Sequence, residues 1–331
     1  MKEILNYLFT GQKLSKEEAR QTLYDLAIGK YTEIEMASFL TVYNMRPVST
    51  EELLGFREAM IELALKVETP FEKIIDVCGT GGDEKRTFNI STLTAFVVAA
   101  SGAKVVKHGN YAVSSSSGSS NIMEYFGYKF SNSSDKLLKE LDKTGICYLH
   151  APLFHPAMKN VAPVRKALKV KTFFNILGPM INPAIPNAQL IGVFDQNTQE
   201  IYANVYSNLD INFAIVHSLD GYDEISLTDR FRYITKDEDK VVDPTEMNLP
   251  KIKSDELYAG NTQEDAAKTF IKILQGEGTE GQNNVIIANS AFALKCYFPE
   301  KSVEECIIIA KDSLLGKKAY DVFKKLIELQ N

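Results

Sequence analysis

Residues 73–83 read KIIDVCGTGGD. A short apolar run, Lys73-Ile74-Ile75-Asp76-Val77-Cys78, ends in Gly79-Thr80-Gly81-Gly82-Asp83. This is the pattern of a buried strand entering a tight loop. Ser91-Thr92 then cap an apolar stretch, LTAFVVAASG, which Gly102 stops. A second strand-like run follows, Lys104-Val105-Val106-Lys107-His108-Gly109. Strand, loop, helix and strand at this spacing make a βαβ unit, so a parallel sheet is expected.

Upstream of this unit the chain changes character near Glu68-Thr69-Pro70. Three capping boxes, Ser15…Glu18, Thr32…Glu35 and Ser49…Glu52, precede stretches with apolar residues at helical spacing. In each box the hydroxyl satisfies an N-terminal N–H and the carboxylate reaches back to the cap. Residues 1–66 therefore read as a helical unit. Downstream, six of the 11 prolines fall between 152 and 186. Such density rules out a long helix or a central strand, and only a helix from about Pro156 to Leu168 is expected there. Gln189–Asp195 and Phe213–Ser218 read as strands around a helix at Thr198–Leu209. A polar hairpin at Arg230–Val242 and three helical patterns close the chain.

The 331 residues are too many for one small core. Lys and Arg number 37 against 43 Asp and Glu, a formal charge of −6. An acidic chain without basic blocks argues against a dedicated nucleic-acid binder, which gains affinity by covering phosphates with cations. Four scattered cysteines fit a reducing compartment better than a disulfide framework. No apolar run approaches the roughly 20 residues of a membrane span. The N-terminal stretch carries acids and lacks a signal-peptide core, so a cytoplasmic protein is expected.

Four segments carry candidate chemistry. The glycines at 79–83, followed by Asn89-Ile90-Ser91-Thr92, free the backbone to turn N–H groups toward an anion, and a helix start adds a positive dipole end. No Gly-Lys-Ser/Thr closes the loop, so it is not a Walker loop. The second segment, Lys107 to Ser119, supplies one cation, an amide, several hydroxyls and two glycines after a strand. Ligands gather at the carboxyl ends of parallel strands, so both loops are expected to face one crevice. The third is Ser218-Leu219-Asp220-Gly221-Tyr222-Asp223-Glu224, where adjacent carboxylates at a strand end suit Mg²⁺. Acidic turns are also commonly just solvated. The fourth runs from Leu149-His150 through His155-Pro156 to Arg165 and then Asn175. With seven arginines against 30 lysines, Arg165 on an otherwise apolar helix stands out as a carboxylate fork. Its plainer reading is a guanidinium snorkelling over the helix.

Taken in order, GTGGD, FNIST, VVKHGN, SSSSGS, HPAMKNVAPVRKAL, TFFNILGPMINP and DGYDEISL resemble the anthranilate phosphoribosyltransferase family, within the nucleoside phosphorylase-like phosphoribosyltransferases. LSKEEA near the start and VIIANSAFAL near the end also fit, so the resemblance covers essentially the whole chain. It implies an α/β fold: a small all-helical domain plus a larger α/β domain with a central, mostly parallel sheet, joined by hinge segments. The helical domain would comprise residues 1–70 plus about 165–186, and the α/β domain 71–164 and 187–331. The implied reaction moves the phosphoribosyl group of phosphoribosyl pyrophosphate (PRPP) to the amine of anthranilate, a step of tryptophan biosynthesis. Its cofactor is Mg²⁺, its substrates are small molecules, and its assembly is a homodimer through the helical domain.

Residue by residue, the resemblance places Gly79, Gly82, Asp83, Thr87, Asn89, Ile90, Ser91, Thr92, Lys107, His108, Gly109, Asn110, Tyr111, Ala112, Val113, Ser114, Ser115 and Ser119 around PRPP. Gly79, Asn110 and Arg165 match its anthranilate contacts, with Arg165 toward the carboxylate. Ser91, Asp223 and Glu224 match its Mg²⁺ ligands. His108 and His155 are given only a wall or positioning role. No nucleophile is implied, and catalysis would be positioning and electrostatics. The chain departs from the pattern at Tyr111, where an arginine is usual, at Lys169 and Lys171, where glycine and arginine are usual, and at Asn121, where an aspartate is common. Two other readings are weaker: a pyrimidine nucleoside phosphorylase, against which the FNIST, HPAM and DEISL strings count, and a non-catalytic paralogue that binds nucleic acid, which should be basic.

Overall fold

A computed structural model describes residues 1–111 and 118–331. In chain order the described elements are α1 (Lys2–Phe9), α2 (Lys16–Ala27), α3 (Glu33–Met45), α4 (Thr50–Glu62), β1 (Ile75–Gly79), α5 (Ile90–Ala100), β2 (Val105–Gly109), α6 (Ser119–Tyr125), α7 (Ser134–Thr144) and β3 (Ile146–His150). Then come α8 (Ala151–Phe154), α9 (Met158–Leu168), α10 (Phe174–Leu177), β4 (Ala188–Gly192), α11 (Gln196–Tyr206), β5 (Asn212–Ser218), β6 (Phe231–Ile234) and β7 (Asp239–Val242). Four helices finish the chain: α12 (Gln263–Leu274), α13 (Glu280–Tyr297), α14 (Val303–Leu315) and α15 (Lys318–Glu328). Three were expected. The extra break between α14 and α15 comes from Lys317, whose φ of 61° leaves the helical region with no proline to announce it. No helix among the described residues is long and apolar enough to cross a membrane.

The chain forms two compact units, Met1–Val67 with Ala151–Ile185, and Glu68–His150 with Pro186–Asn331. The helical unit takes back the chain at Ala151, so the whole of α9 belongs to it.

Within the helical unit all three capping boxes close, with Ser15, Thr32 and Ser49 each accepting from the N–H three residues on. Glu52 goes further than capping. Its buried carboxylate accepts from the N–H of Leu14 (3.1 Å), the hydroxyl of Tyr43 (3.1 Å) and the guanidinium of Arg46 (2.5 and 2.9 Å). Tyr43 also joins Phe39, Phe56 and Phe173 in one aromatic cluster, with Phe56 and Phe173 stacked at 4.4 Å. Burial works to raise the Glu52 pKa, but the Arg46 guanidinium and the backbone N–H groups of Ser49 and Leu14 outweigh it and hold the carboxyl below its usual range. A depressed folded-state pKa gives stability that is present above the unfolded value, about 4.3, and is lost as pH falls through the folded one. Melting temperature measured from pH 7 down to pH 3 should therefore fall more steeply for the wild type than for Glu52→Gln. Parallel curves would refute this.

Lys169 closes α9 in the left-handed region, at φ 55° and ψ 24°, with its N–H on the carbonyl of Arg165. A side chain there costs about 1 kcal/mol or more relative to glycine. This is the backbone reason a glycine suits the position. Lys169→Gly should stabilise the protein by about that amount in chemical denaturation, and an unchanged midpoint would contradict it.

In the α/β unit the strand order is β3-β2-β1-β4-β5-β6-β7. The first five strands are parallel, and β6 and β7 return as the antiparallel hairpin. α5 and α13 are buried nearly all round, as a helix apolar on every side must be. With α12, α14 and α15 they fill one face of the sheet around Phe96, Phe270, Phe292 and Phe323. On the opposite face Tyr206 of α11 donates to Gln189 of β4 at 2.7 Å.

Candidate active site

The chain leaves β1 through α5 to β2 on one side, and leaves β4 through α11 to β5 on the other. β1 and β4 are neighbours, so the topological switch point, where α/β sheets open a crevice at their carboxyl ends, lies between them. The loop after β5 folds back over this point. A Cβ on Gly79, at the end of β1, would lie 2.6 Å from Asp223 Oδ2, and one on Gly192, at the end of β4, would collide with the Asp223 carbonyl. Both strands therefore have to end in glycine for Asp223 to reach the crevice. Gly81, left-handed at φ 63°, donates its N–H to Asp223 Oδ2 at 2.7 Å. From below, the buried Asn289 of α13 accepts from the N–H of Ile225 and donates to its carbonyl, which pins the chain just past the two acids.

α5 begins at Ile90, one residue earlier than the sequence suggests, and Asn89 at its N-cap makes no side-chain capping bond. Glu224 does the capping instead, its Oε1 accepting from the N–H of Ser91 at 2.9 Å. A carboxylate and a helix N-terminus are thus locked together, which the helix dipole favours. Lys107 in β2 is 1% exposed, and its ammonium donates to the Val77 carbonyl at 2.7 Å and reaches Ser91 Oγ at 3.5 Å. Burial pulls its pKa down, and the nearby Asp76 carboxylate opposes that.

The three carboxyls of the crevice crowd one another. Burial and then the Asp83 charge push Asp223 up to about 8. Burial, Asp223 and Asp83 raise Glu224 well above its usual range, and burial raises Asp83, which hydrogen-bonds Asp223. Anionic carboxyls so placed favour a cation. Among the described residues no three His, Cys, Asp or Glu side chains form a metal-holding cluster. The pair with the Ser91 hydroxyl leaves most of a coordination shell to be filled. That suits Mg²⁺, which takes one or two carboxylates and completes its octahedron with water and substrate phosphate oxygens.

The α/β unit holds Gly79, Gly82, Asp83, Thr87, Asn89 and Ser91 in or beside the loop after β1. Thr87 bridges to Tyr258. Ile90 presents no side chain to the crevice: it lies in the core, and its N–H donates to the Phe88 carbonyl. The Thr92 hydroxyl is likewise buried. His108 ends up buried, its N–H on Asp76 Oδ1 at 3.1 Å. Asn110 and Tyr111 are exposed at the end of β2, and Ser119 opens α6. Ala112, Val113, Ser114 and Ser115 lie outside the described residues. Arg165 lies in the helical unit. Its Nη2 donates to Asn175 Oδ1 at 3.3 Å, its guanidinium sits 5.2 Å from the Phe174 ring centroid, and burial lowers its pKa. Among the described residues no carboxylate pairs with it. A half-buried guanidinium held by an amide and a ring is not snorkelling to solvent. Sequence reasoning passed over Asp76, Gly192 and Asn289. A lone Asn inside the apolar helix VIIANSAFAL was the one available signal.

A helical bundle joined to an α/β unit whose crevice opens at the switch point is the build of a glycosyl transferase. The glycosyl transferase helical bundle domain matches residues 2–64, and the family's a/b domain matches residues 71–320. Anthranilate phosphoribosyltransferases from Bacteroides fragilis and Flavobacterium johnsoniae are each 50% identical, over 329 and 333 residues and 99% of both chains. The chain belongs to the anthranilate phosphoribosyltransferase family. The crystal structure of the Thermus thermophilus enzyme superposes with a TM-score of 0.93 at 29% identity, covering 98% of each chain. The Saccharomyces cerevisiae enzyme in complex with PRPP and Mg shares the fold at 24% identity, TM-score 0.90, over 98% of this chain and 96% of that one.

Proposed function

We propose that this chain transfers the 5-phosphoribosyl group of PRPP to the amine of anthranilate, releasing pyrophosphate and serving tryptophan biosynthesis. The observation that carries this reading is the Asp223–Glu224 pair folded over Gly79 and Gly81 and tied to the first turn of α5 beside the Lys107 ammonium. PRPP needs both a polyanion cradle and a divalent cation, and these residues supply the first and are suited to hold the second. Asp223, Glu224 and the Ser91 hydroxyl would hold Mg²⁺, which would neutralise charge on the departing pyrophosphate.

The protein groups have separate roles. The start of α5 and Lys107 bind phosphate oxygens. Gly79, Asn110 and Arg165 contact anthranilate, with the guanidinium fork on its carboxylate. Held so, the amine nitrogen bonds to the ribose C1 as the C1–O bond to pyrophosphate breaks, the amine proton passes to the departing pyrophosphate, and no protein nucleophile takes part. The net charge of −6 offers PRPP no general attraction, so the local devices carry the binding.

Four buried free cysteines support a reducing, cytoplasmic setting. The homodimer through the helical unit that the family resemblance implies is part of this proposal. Incubating the protein with PRPP, Mg²⁺ and anthranilate should extinguish anthranilate fluorescence, and omitting any one component should stop the loss. Persistent fluorescence with all components present would overturn the proposal.

A further inference from the structure

The ends of β2 and β3 carry a cluster of rings and hydroxyls that the proposed chemistry does not use. Gly109 and His150 are paired in register, each the last residue of its strand. His150 is 6% exposed. Its ring stacks on Phe130 at 4.4 Å and 20°, and Tyr111 meets it edge-on at 4.9 Å. Its Nδ1 lies 2.9 Å from Ser120 Oγ, which is also 3.1 Å from the Tyr148 hydroxyl.

Two of these partners grip Asn110. The N–H of the buried Ser120 donates to the Asn110 carbonyl at 3.1 Å, and the N–H of Tyr111 donates to Asn110 Oδ1 at 2.8 Å. Tyr111 is steadied in turn by its hydroxyl on Glu124 at 3.2 Å. Gly109 lies so close to the Tyr148 hydroxyl that a Cβ would collide with it, which packs the backbone entering Asn110 against this cluster. The His150 ring thus touches both Ser120 and Tyr111, the two residues that hold Asn110.

We propose that His150 is a positioning residue for the acceptor site, fixing Asn110 through Ser120 on one side and Tyr111 on the other. The proposal rests on the reading of Asn110 as a contact of the aromatic amino acid acceptor. It also gives Tyr111 a role that differs from a cation's: the ring, not a charge, anchors the segment.

The test compares His150→Ala, His150→Phe, Tyr111→Ala and the His150→Ala/Tyr111→Ala double variant in the full chain. Amide hydrogen exchange needs no substrate, and in His150→Ala the Tyr111 and Ser120 amides should exchange about tenfold faster while those of α13 stay as they were. In steady-state kinetics His150→Ala should raise the anthranilate KM about tenfold, with kcat changed less than about threefold. His150→Phe keeps both ring contacts and loses the Ser120 bond, so it should recover most of the loss. The double variant should be little worse than Tyr111→Ala, because the two residues act on one target. Unchanged exchange at Tyr111 and Ser120, strictly additive effects, or equal losses with Phe and Ala would each overturn the proposal. If His150→Ala does not fold, His150→Leu carries the test, since it loses both the edge contact with Tyr111 and the Ser120 bond, and native exchange rates at both amides in that variant refute the proposal. If the wild type does not consume anthranilate, the proposed function fails on its own, and the exchange result still decides whether His150 holds Asn110.

Discussion

Replacing Asp223 with Asn and Glu224 with Gln together should lower Mg²⁺-dependent turnover by about a thousandfold or more. Charge stabilisation by a bound metal is worth several kcal/mol, and each step of about 1.4 kcal/mol is a factor of ten in rate. The amides keep the acceptors that the fold uses. Asn at 223 still offers an oxygen to the Gly81 N–H, and Gln at 224 still offers one to Ser91. What disappears is the negative charge, which is strained in the folded state, since both acids have raised pKa values. The double variant should accordingly melt no lower than the wild type. Kinetics at subsaturating Mg²⁺ together with a thermal melt check both halves. Unchanged Mg²⁺ dependence would remove these acids from the metal site, and a collapsed melt would make their role structural.

The second large effect is expected at Arg165. Arg165→Ala should raise the anthranilate KM by about thirtyfold to a hundredfold, from the loss of about 2–3 kcal/mol of charge-assisted hydrogen bonding. The PRPP KM should move less than about twofold. Arg165→Lys should remain impaired, because an ammonium keeps the charge but not the planar fork. The structure leaves this residue able to take a carboxylate: its Nη2 donates to one amide oxygen of Asn175, and the Phe174 ring supports the guanidinium without neutralising it. Equal changes in both KM values would refute a carboxylate anchor.

Much of the architecture was legible because local rules agree with the global fold. The three capping boxes each predict a helix start and each forms. KIIDVCGTGGD and KVVKHG become adjacent parallel strands. The stretch that carried no assignment, residues 128–150, contains α7 and β3. β3, ICYLH, is buried along its whole length. A strand covered on both faces shows no alternation, and β3 lacks the glycine loop that marks the ends of β1 and β2.

The sequence by itself determined the two-part organisation, the parallel sheet, the glycine loop after β1 and the family to which the chain belongs. These follow from short-range periods, caps and an ordered set of motifs, all of which are readable along one dimension. Only the tertiary structure decided how the acids are used. Asp223 meets Gly81 from 142 positions away, and Glu224 caps a helix through Ser91, 133 positions before it. The need for glycine at 192 exists only because the Asp223 carbonyl occupies the space a side chain would take. Glu52 reads in sequence as an ordinary capping carboxylate, and only the folded helices bring Leu14, Tyr43 and Arg46 onto it. Burial and contact between distant segments set the charge state of these groups, and neither is encoded in the spacing of neighbours.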